Sequence, residues 1–220
     1  MKKTLAFAAA MAVVAISAQA AVVAWDVPVK LSGDGATDVS SEGSPVDALD
    51  AQGGAITVGG VSFRAMDYNG PVIVGGGAGY GDFQIEATNT NPNITDAAYY
   101  TLLDSGIYNE TGIRFQGLTI GQQYLIQIWT CDSRYLGGTR TATYDDGNGN
   151  TVDVDHGIDG NLGQYVIGRF TADAALQDIT PTGDLLVNAA QLRSIPEPAT
   201  LGLLGLVGGA VVFARRRFMI

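Results

Sequence analysis

An uncharged apolar run from Ala199 to Ala214 ends on three consecutive arginines, Arg215, Arg216 and Arg217, and begins behind Pro196-Glu197-Pro198. The prolines lack amide donors and fix φ, so the chain ahead of the run stays extended and accessible. The run partitions into lipid. Arginines resist crossing a bilayer and prefer its cytoplasmic side, which places Pro196-Glu197-Pro198 and everything before it outside the inner membrane. At about 1.5 Å per residue a helix over this run is about 24 Å long, short of a hydrocarbon core of about 30 Å. Snorkelling arginines and local bilayer thinning cover such a deficit. The expectation is a C-terminal transmembrane helix of marginal length.

The other end has the matching pattern. Lys2 and Lys3 form a charged start, Leu5 to Ile16 an apolar stretch too short for a comfortable span, and Ala18-Gln19-Ala20 a small-residue site. This is the layout of a secretory signal peptide over residues 1–20, cleaved before Ala21. A retained N-terminal anchor is the alternative. Setting both ends aside leaves a body over residues 21–193, a size that suits one domain able to bury most of its apolar surface.

Ser194-Ile195-Pro196-Glu197-Pro198-Ala199-Thr200, with the apolar run and basic end behind it, resembles the PEP-CTERM sorting signal of Gram-negative bacteria. In that family the tail over residues 194–220 holds an exported protein in the inner membrane until an exosortase, a membrane cysteine transpeptidase, acts near the motif. The resemblance implies two processing partners, signal peptidase and exosortase. It also implies hand-over to the cell surface or to an extracellular exopolysaccharide matrix. An ordinary membrane anchor with a chance Pro-Glu-Pro is the plainer alternative.

The body is strongly acidic, about −14 once the basic residues of both ends are set aside, which argues against nucleic acid or anionic membranes as partners. Neutral polymers and divalent cations stay open. Cys131 is the single cysteine, so no intramolecular disulfide exists and the fold rests on packing or bound ions. Its place at the end of an apolar stretch reads as a buried small hydrophobe.

Thirty glycines and the absence of long helical periodicity point to short strands with frequent turns. Val22 to Asp26 reads as an edge strand and Asp34 to Asp50 as a polar loop. Ala55 to Val58 and Val61 to Ala65 read as a hairpin-like pair across Gly59-Gly60. Asp96 to Gly106 is the one expected helix, with Thr95 as its cap. Gly112 to Leu118 and Tyr124 to Trp129 are strands, the latter with Tyr124, Ile126 and Ile128 on one face. Thr139 to Tyr144 and Thr151 to Asp155 flank the turn-forming Asp145-Asp146-Gly147-Asn148-Gly149-Asn150, a strong hairpin pattern. The last strands fall over 165–171, 177–180 and 184–193. Eight or nine such strands with no βαβ rhythm imply a mainly β protein, a two-layer antiparallel β-sandwich with one short helix. Gly117-Leu118-Thr119-Ile120-Gly121-Gln122-Gln123-Tyr124 resembles a strand connection of extracellular β-sandwiches, among them galactose-binding-like jelly rolls. That resemblance implies a jelly-roll architecture.

Chemistry is sparsely encoded. His156 is the single histidine and Gly-x-Ser-x-Gly is absent, which disfavours a serine hydrolase, and one His with one Cys disfavours zinc. Paired carboxylates for glycoside hydrolysis are drawn from Asp132, Asp145, Asp146, Asp153 and Asp155. Asp146, Asn148 and Asn150 alternate as oxygen donors for Ca²⁺ do, with Asp153 and Asp155 as further ligands on one strand face, although the pattern departs from an EF-hand at Thr151 and Gly157. A hydrated turn without any cofactor is the competing reading. Exposed aromatics that could stack on a sugar are sought among Trp25, Trp129, Tyr135 and Tyr144, with Tyr135 and Tyr144 as the ligand-binding candidates. The expectation is an exported, non-enzymatic cell-surface or matrix protein, structural or adhesive and linked to exopolysaccharide. A carbohydrate-binding module is the alternative, and an extracellular hydrolase the third reading.

Overall fold

The computed structural model describes residues 20–51, 54–67, 69–75, 84–87, 94–108, 112–132, 140–155, 162–184 and 186–196. The elements in chain order are β1 (Ala24–Trp25), β2 (Val29–Lys30), α1 (Gly35–Asp38), β3 (Ser44–Asp50), β4 (Ile56–Val58), β5 (Val61–Phe63), β6 (Val72–Val74) and β7 (Gln84–Ala87). There follow α2 (Ala97–Leu103), β8 (Ser105–Tyr108), β9 (Ile113–Gln116), β10 (Gln123–Thr130), β11 (Thr141–Asp145) and β12 (Thr151–Asp155). The chain closes with β13 (Gln164–Thr171), β14 (Leu176–Gly183), β15 (Leu186–Val187) and β16 (Ala189–Ile195).

Two antiparallel sheets carry the body. One runs β1-β13-β10-β16-β3, with β2 also on β13, and the other runs β12-β11-β14-β9-β6. The smaller sheets are β15-β8-β7 and the hairpin β4-β5. Alternation along the strands decides the layers, because successive side chains point to opposite faces. Tyr124, Ile126 and Ile128 of β10, Val166 and Phe170 of β13, and Ala190 and Leu192 of β16 meet Phe115, Ala142, Tyr144, Val154 and Ile179 of the facing sheet in one core. That is a sandwich, as the period of two predicts.

The outer face of β10 is also covered. Trp129 points away from the first core into a second one with Phe63, Val58, Tyr99, Leu102, Leu103 and Cys131, under α2 and the β4-β5 hairpin. Phe63 and Trp129 meet edge to face at 5.6 Å, a favoured aromatic geometry. A strand buried on both faces loses its apolar/polar alternation, and the run Leu125 to Trp129 shows that loss. Cys131 is buried, as its apolar surroundings imply.

The hairpin β4-β5 turns on Gly59 and Gly60, both at positive φ, which a two-residue turn of this hand requires. Three expectations change. The helix is Ala97–Leu103, capped by Asp96 rather than Thr95, because the Asp96 carboxylate accepts from Ala98 N and Tyr99 N at 3.0 and 3.1 Å. It stops before residue 105 because Ser105–Tyr108 pairs with β7. The segment read as a polar loop holds a second short helix, α1, capped by Asp34, and the seven-residue edge strand β3. The signal peptide lies outside the described residues except for Ala20, and so does the apolar run before Arg215. Among the described residues no helix is long and apolar enough to cross a membrane.

Candidate functional site: the strand that leads into the tail

β16 sits inside its sheet, paired on one side with β10 and on the other with β3. The pairing persists to the end of the strand, with Ser194 opposite Tyr124 and Ser44, and Ile195 opposite Gln123. Pro196 is the next residue and cannot donate to a ladder, so the sheet ends where the Pro-Glu-Pro motif begins. Among the described residues no linker lies between the strand and the motif.

Buried polar side chains on the outer face fix this strand end. Gln127 and Gln191 lie directly opposite each other on β10 and β16, and the Gln191 amide donates to Gln127 Oε1 at 2.6 Å. Gln127 also donates to the Asp38 carbonyl at 2.7 Å and accepts from Ser40 N at 3.0 Å. Arg193, two residues on and therefore on the same face, donates to the carbonyls of Glu42, Ser41 and Gly43 at 2.6, 3.1 and 2.9 Å. The guanidinium is almost fully buried and its charge is met by backbone dipoles. Burial pushes its pKa below the usual arginine value, yet the group stays protonated.

The segment 38–43 is thus strapped across β10 and β16. Glu42 adds a second hold from its side chain, whose carboxylate meets Arg169 of β13 at 2.7 Å, while Asp26 meets the same guanidinium at 2.6 Å. Hydrogen bonding from Arg169 draws the Glu42 carboxyl below its ordinary value. Gly43 closes the strap at positive φ, and a Cβ there would stand 2.4 Å from the Ser194 carbonyl oxygen. Only glycine permits that approach. From the opposite side, the Gln122 amide donates to the Ile195 carbonyl at 2.5 Å. A groove of about 540 Å³ lined by Ser41, Pro45, Asp47, Ser62 and Arg193 lies beside the strap, so this end of the body has open surface on its β3 flank.

The residues singled out for calcium do other work. Asp146 is buried, and its carboxylate accepts from Val23 N at 2.8 Å, Asn148 N at 2.7 Å, Asn150 N at 3.2 Å and Asn150 Nδ2 at 3.0 Å. Burial alone would raise its pKa, but the donors from Val23, Asn148 and Asn150 outweigh that and hold it below the usual carboxylate value. Four N–H donors use the lone-pair directions that a cation would need. Asp153 and Asp155 share a strand face but each accepts from the threonine opposite, Thr143 and Thr141, both at 2.6 Å. Among the described residues no three His, Cys, Asp or Glu side chains converge as a metal site.

Tyr144 is corrected as a sugar platform. Its position on β11 turns inward, it has no exposed surface, and its hydroxyl lies 2.7 Å from Thr130 Oγ1 and 3.3 Å from the Leu186 carbonyl. Removing the hydroxyl in Tyr144→Phe is expected to destabilise the body by about 1–2 kcal/mol in chemical denaturation, the usual cost of leaving buried partners unpaired. Trp129 is equally interior and Trp25 packs against the first core. Asp132 is buried against Arg140, whose Nη1 lies 3.3 Å away. Tyr135, His156, Ala18, Glu197, Pro198 and the three terminal arginines lie outside the described residues. The strap residues Gln127, Gln191 and Arg193 escaped sequence reading, although a glutamine inside an apolar strand is the one signal that could have found them.

Residues 194–217 match the family model described as the PEP-CTERM protein-sorting motif. The chain matches no curated protein. Among solved structures it is similar to Bacteroides uniformis beta-glucuronidase 2 covalently bound to cyclophellitol-6-carboxylate aziridine, at 15% identity and a TM-score of 0.49. A calcium binding mutant of the same enzyme gives 16% and 0.49, and a crystal structure of Bacteroides uniformis beta-glucuronidase gives 16% and 0.48. Each match covers 68% of this chain but 18% of the other, and likeness at that level carries no statement about activity. The chain therefore bears a PEP-CTERM sorting motif whose first two residues are the last two of a paired sheet strand.

Proposed function

We propose that this protein is exported through an N-terminal signal peptide cleaved after Ala20, held by its C-terminal run in the inner membrane, and released by an exosortase to the cell surface or extracellular matrix. There the acidic β body acts as a structural or adhesive component alongside exopolysaccharide. The observation that carries the reading is the sorting motif at residues 194–217 joined without a linker to a β body. A non-catalytic role is supported by the placement of the body's carboxylates. Asp132 faces Arg140, Asp145 accepts from Gly147 N, Asp146 holds four N–H donors, and Asp153 and Asp155 accept from threonines.

The pairing of β16 supports a cut beyond the sheet. Ser194 and Ile195 are paired within the sheet, so a processing enzyme acting on the folded body works at or beyond Pro196. Fractionation of cells that possess an exosortase, followed by intact-mass measurement, is expected to find the protein outside the inner membrane. It should start at Ala21 and end at Pro196 or later. A full-length chain retained in the cytosol would overturn the export reading, and a product ending at or before Ile195 would overturn the placement of the cut.

A further inference from the structure

The turn between β11 and β12 touches the start of the body three times. Asn148 Nδ2 donates to the Ala20 carbonyl, Asp146 Oδ2 accepts from Val23 N at 2.8 Å, and the Asn150 carbonyl accepts from the Trp25 indole at 3.3 Å. These contacts span more than 120 positions of sequence. Ala21 and Val23 are themselves buried members of the first core, at 5% and 2% exposure. The segment 20–25 is therefore seated in a receptor made by one turn.

We propose that the Asp146–Asn150 turn is a binding site for the mature N-terminus, with the α-ammonium of Ala21 as its ligand. The inference rests on the reading that the leader is removed after Ala20. Covalent geometry places the ligand. The Ala21 nitrogen is bonded to the carbon bearing the oxygen that Asn148 holds, and so lies about 2 Å from that oxygen. When Ala20 leaves, the new ammonium stays against the Asn148 side chain, because buried Ala21 and the Val23–Asp146 bond anchor the chain just behind it.

Asn148 is suited to both states of the chain. In the precursor its amide nitrogen donates to a carbonyl. In the mature protein a half-turn of the amide presents Oδ1 as an acceptor for the ammonium. The Asp146 carboxylate behind it, with Asp145 next in the chain, supplies the negative field. The cleavage itself adds water across the Ala20–Ala21 peptide bond. The leader keeps the carboxylate, and the body gains the amine, which is protonated below about pH 8. An Asp-Asn-Asn pattern that imitates cation coordination thus serves an organic cation belonging to the chain itself.

The test compares chains in detergent that run from Ala21 to Ile220, released from a fusion by a specific protease so that the start is set independently of signal peptidase. A second version carries Gly-Ser ahead of Ala21. At neutral pH the free α-amine should be acylated about tenfold more slowly than in the Asn148→Ala variant, as expected for an ammonium held by one charge-assisted hydrogen bond. The Gly-Ser version should melt several degrees lower than the chain starting at Ala21, with the gap shrinking in Asn148→Ala. Equal acylation rates in the two Ala21 chains, or a melting gap indifferent to Asn148, would overturn the site. Mass measurement of the exported protein reports separately on the leader. A natural start other than Ala21 would refute the processing reading and remove the natural ligand, even with the receptor intact in the released chain.

Discussion

Replacing Arg193 by alanine is expected to destabilise the body by about 3 kcal/mol in denaturant unfolding, at the upper end of the range for hydrogen bonds to a charged group. The guanidinium holds three consecutive carbonyls, those of Ser41, Glu42 and Gly43, and its Nη1 reaches Gln191 Oε1 at 3.5 Å. Alanine removes the donor that these part-buried carbonyls share. Hydrogen bonds to a charged group contribute about 1.5–3 kcal/mol each and do not add fully because they share one side chain. Arg193→Lys should recover little, since a point ammonium cannot span a fork of carbonyls. Arg193→Met retains the stem and isolates the polar loss. A cost below about 1 kcal/mol for Arg193→Ala would mean that the 38–43 strap is not held from this side chain. Loosening the strap also frees the Ser194 end of β16, so the variant should gain amide hydrogen exchange over residues 190–195.

Asp146→Asn is expected to cost about 3 kcal/mol, because an amide offers one acceptor and two donors where the site presents four N–H groups. The loss should be the same with and without millimolar calcium, since the carboxylate serves nitrogen donors. A calcium-dependent melting shift in the wild type that vanishes in Asp146→Asn would place a cation at this turn instead. The pH dependence has a defined sign. A carboxyl whose folded pKa lies below its unfolded value near 3.9 contributes stability that is present above that value and lost as pH falls through the folded pKa. The difference between wild type and Asp146→Asn should therefore be full at pH 6 and shrink as the pH falls below about 4.

Much of the sheet was legible. The β11-β12 hairpin forms where Asp145 to Asn150 supply turn residues between alternating strands, with Gly147 and Gly149 at positive φ. β10 announced itself by its apolar run, and the inward trio Tyr124, Ile126 and Ile128 is in the core. β3 was hidden because Ser44 to Asp50 has no alternation of its own. It becomes a strand through pairing with β16, about 140 positions away, and accommodates a bulge at Val46 between Asp47 opposite Leu192 and Pro45 opposite Arg193. Tyr144 was misplaced because sequence gives the period of a strand but not which face meets the core. The Asp146-Asn148-Asn150 spacing suits both a metal loop and a turn that gathers N–H groups, and the donation from Val23 to Asp146 is a tertiary contact that spacing does not carry.

The properties that sequence decided are those each segment carries alone: the apolar run and arginine asymmetry of the tail, glycine's freedom at turns, and the two-residue period of the strands. The tertiary structure decided which donors meet which acceptors, and therefore that Arg193 binds a loop, that Asp146 accepts from Val23, and that the sorting motif begins inside a sheet. These depend on contacts between residues more than a hundred positions apart, and the chain's covalent order does not specify them locally.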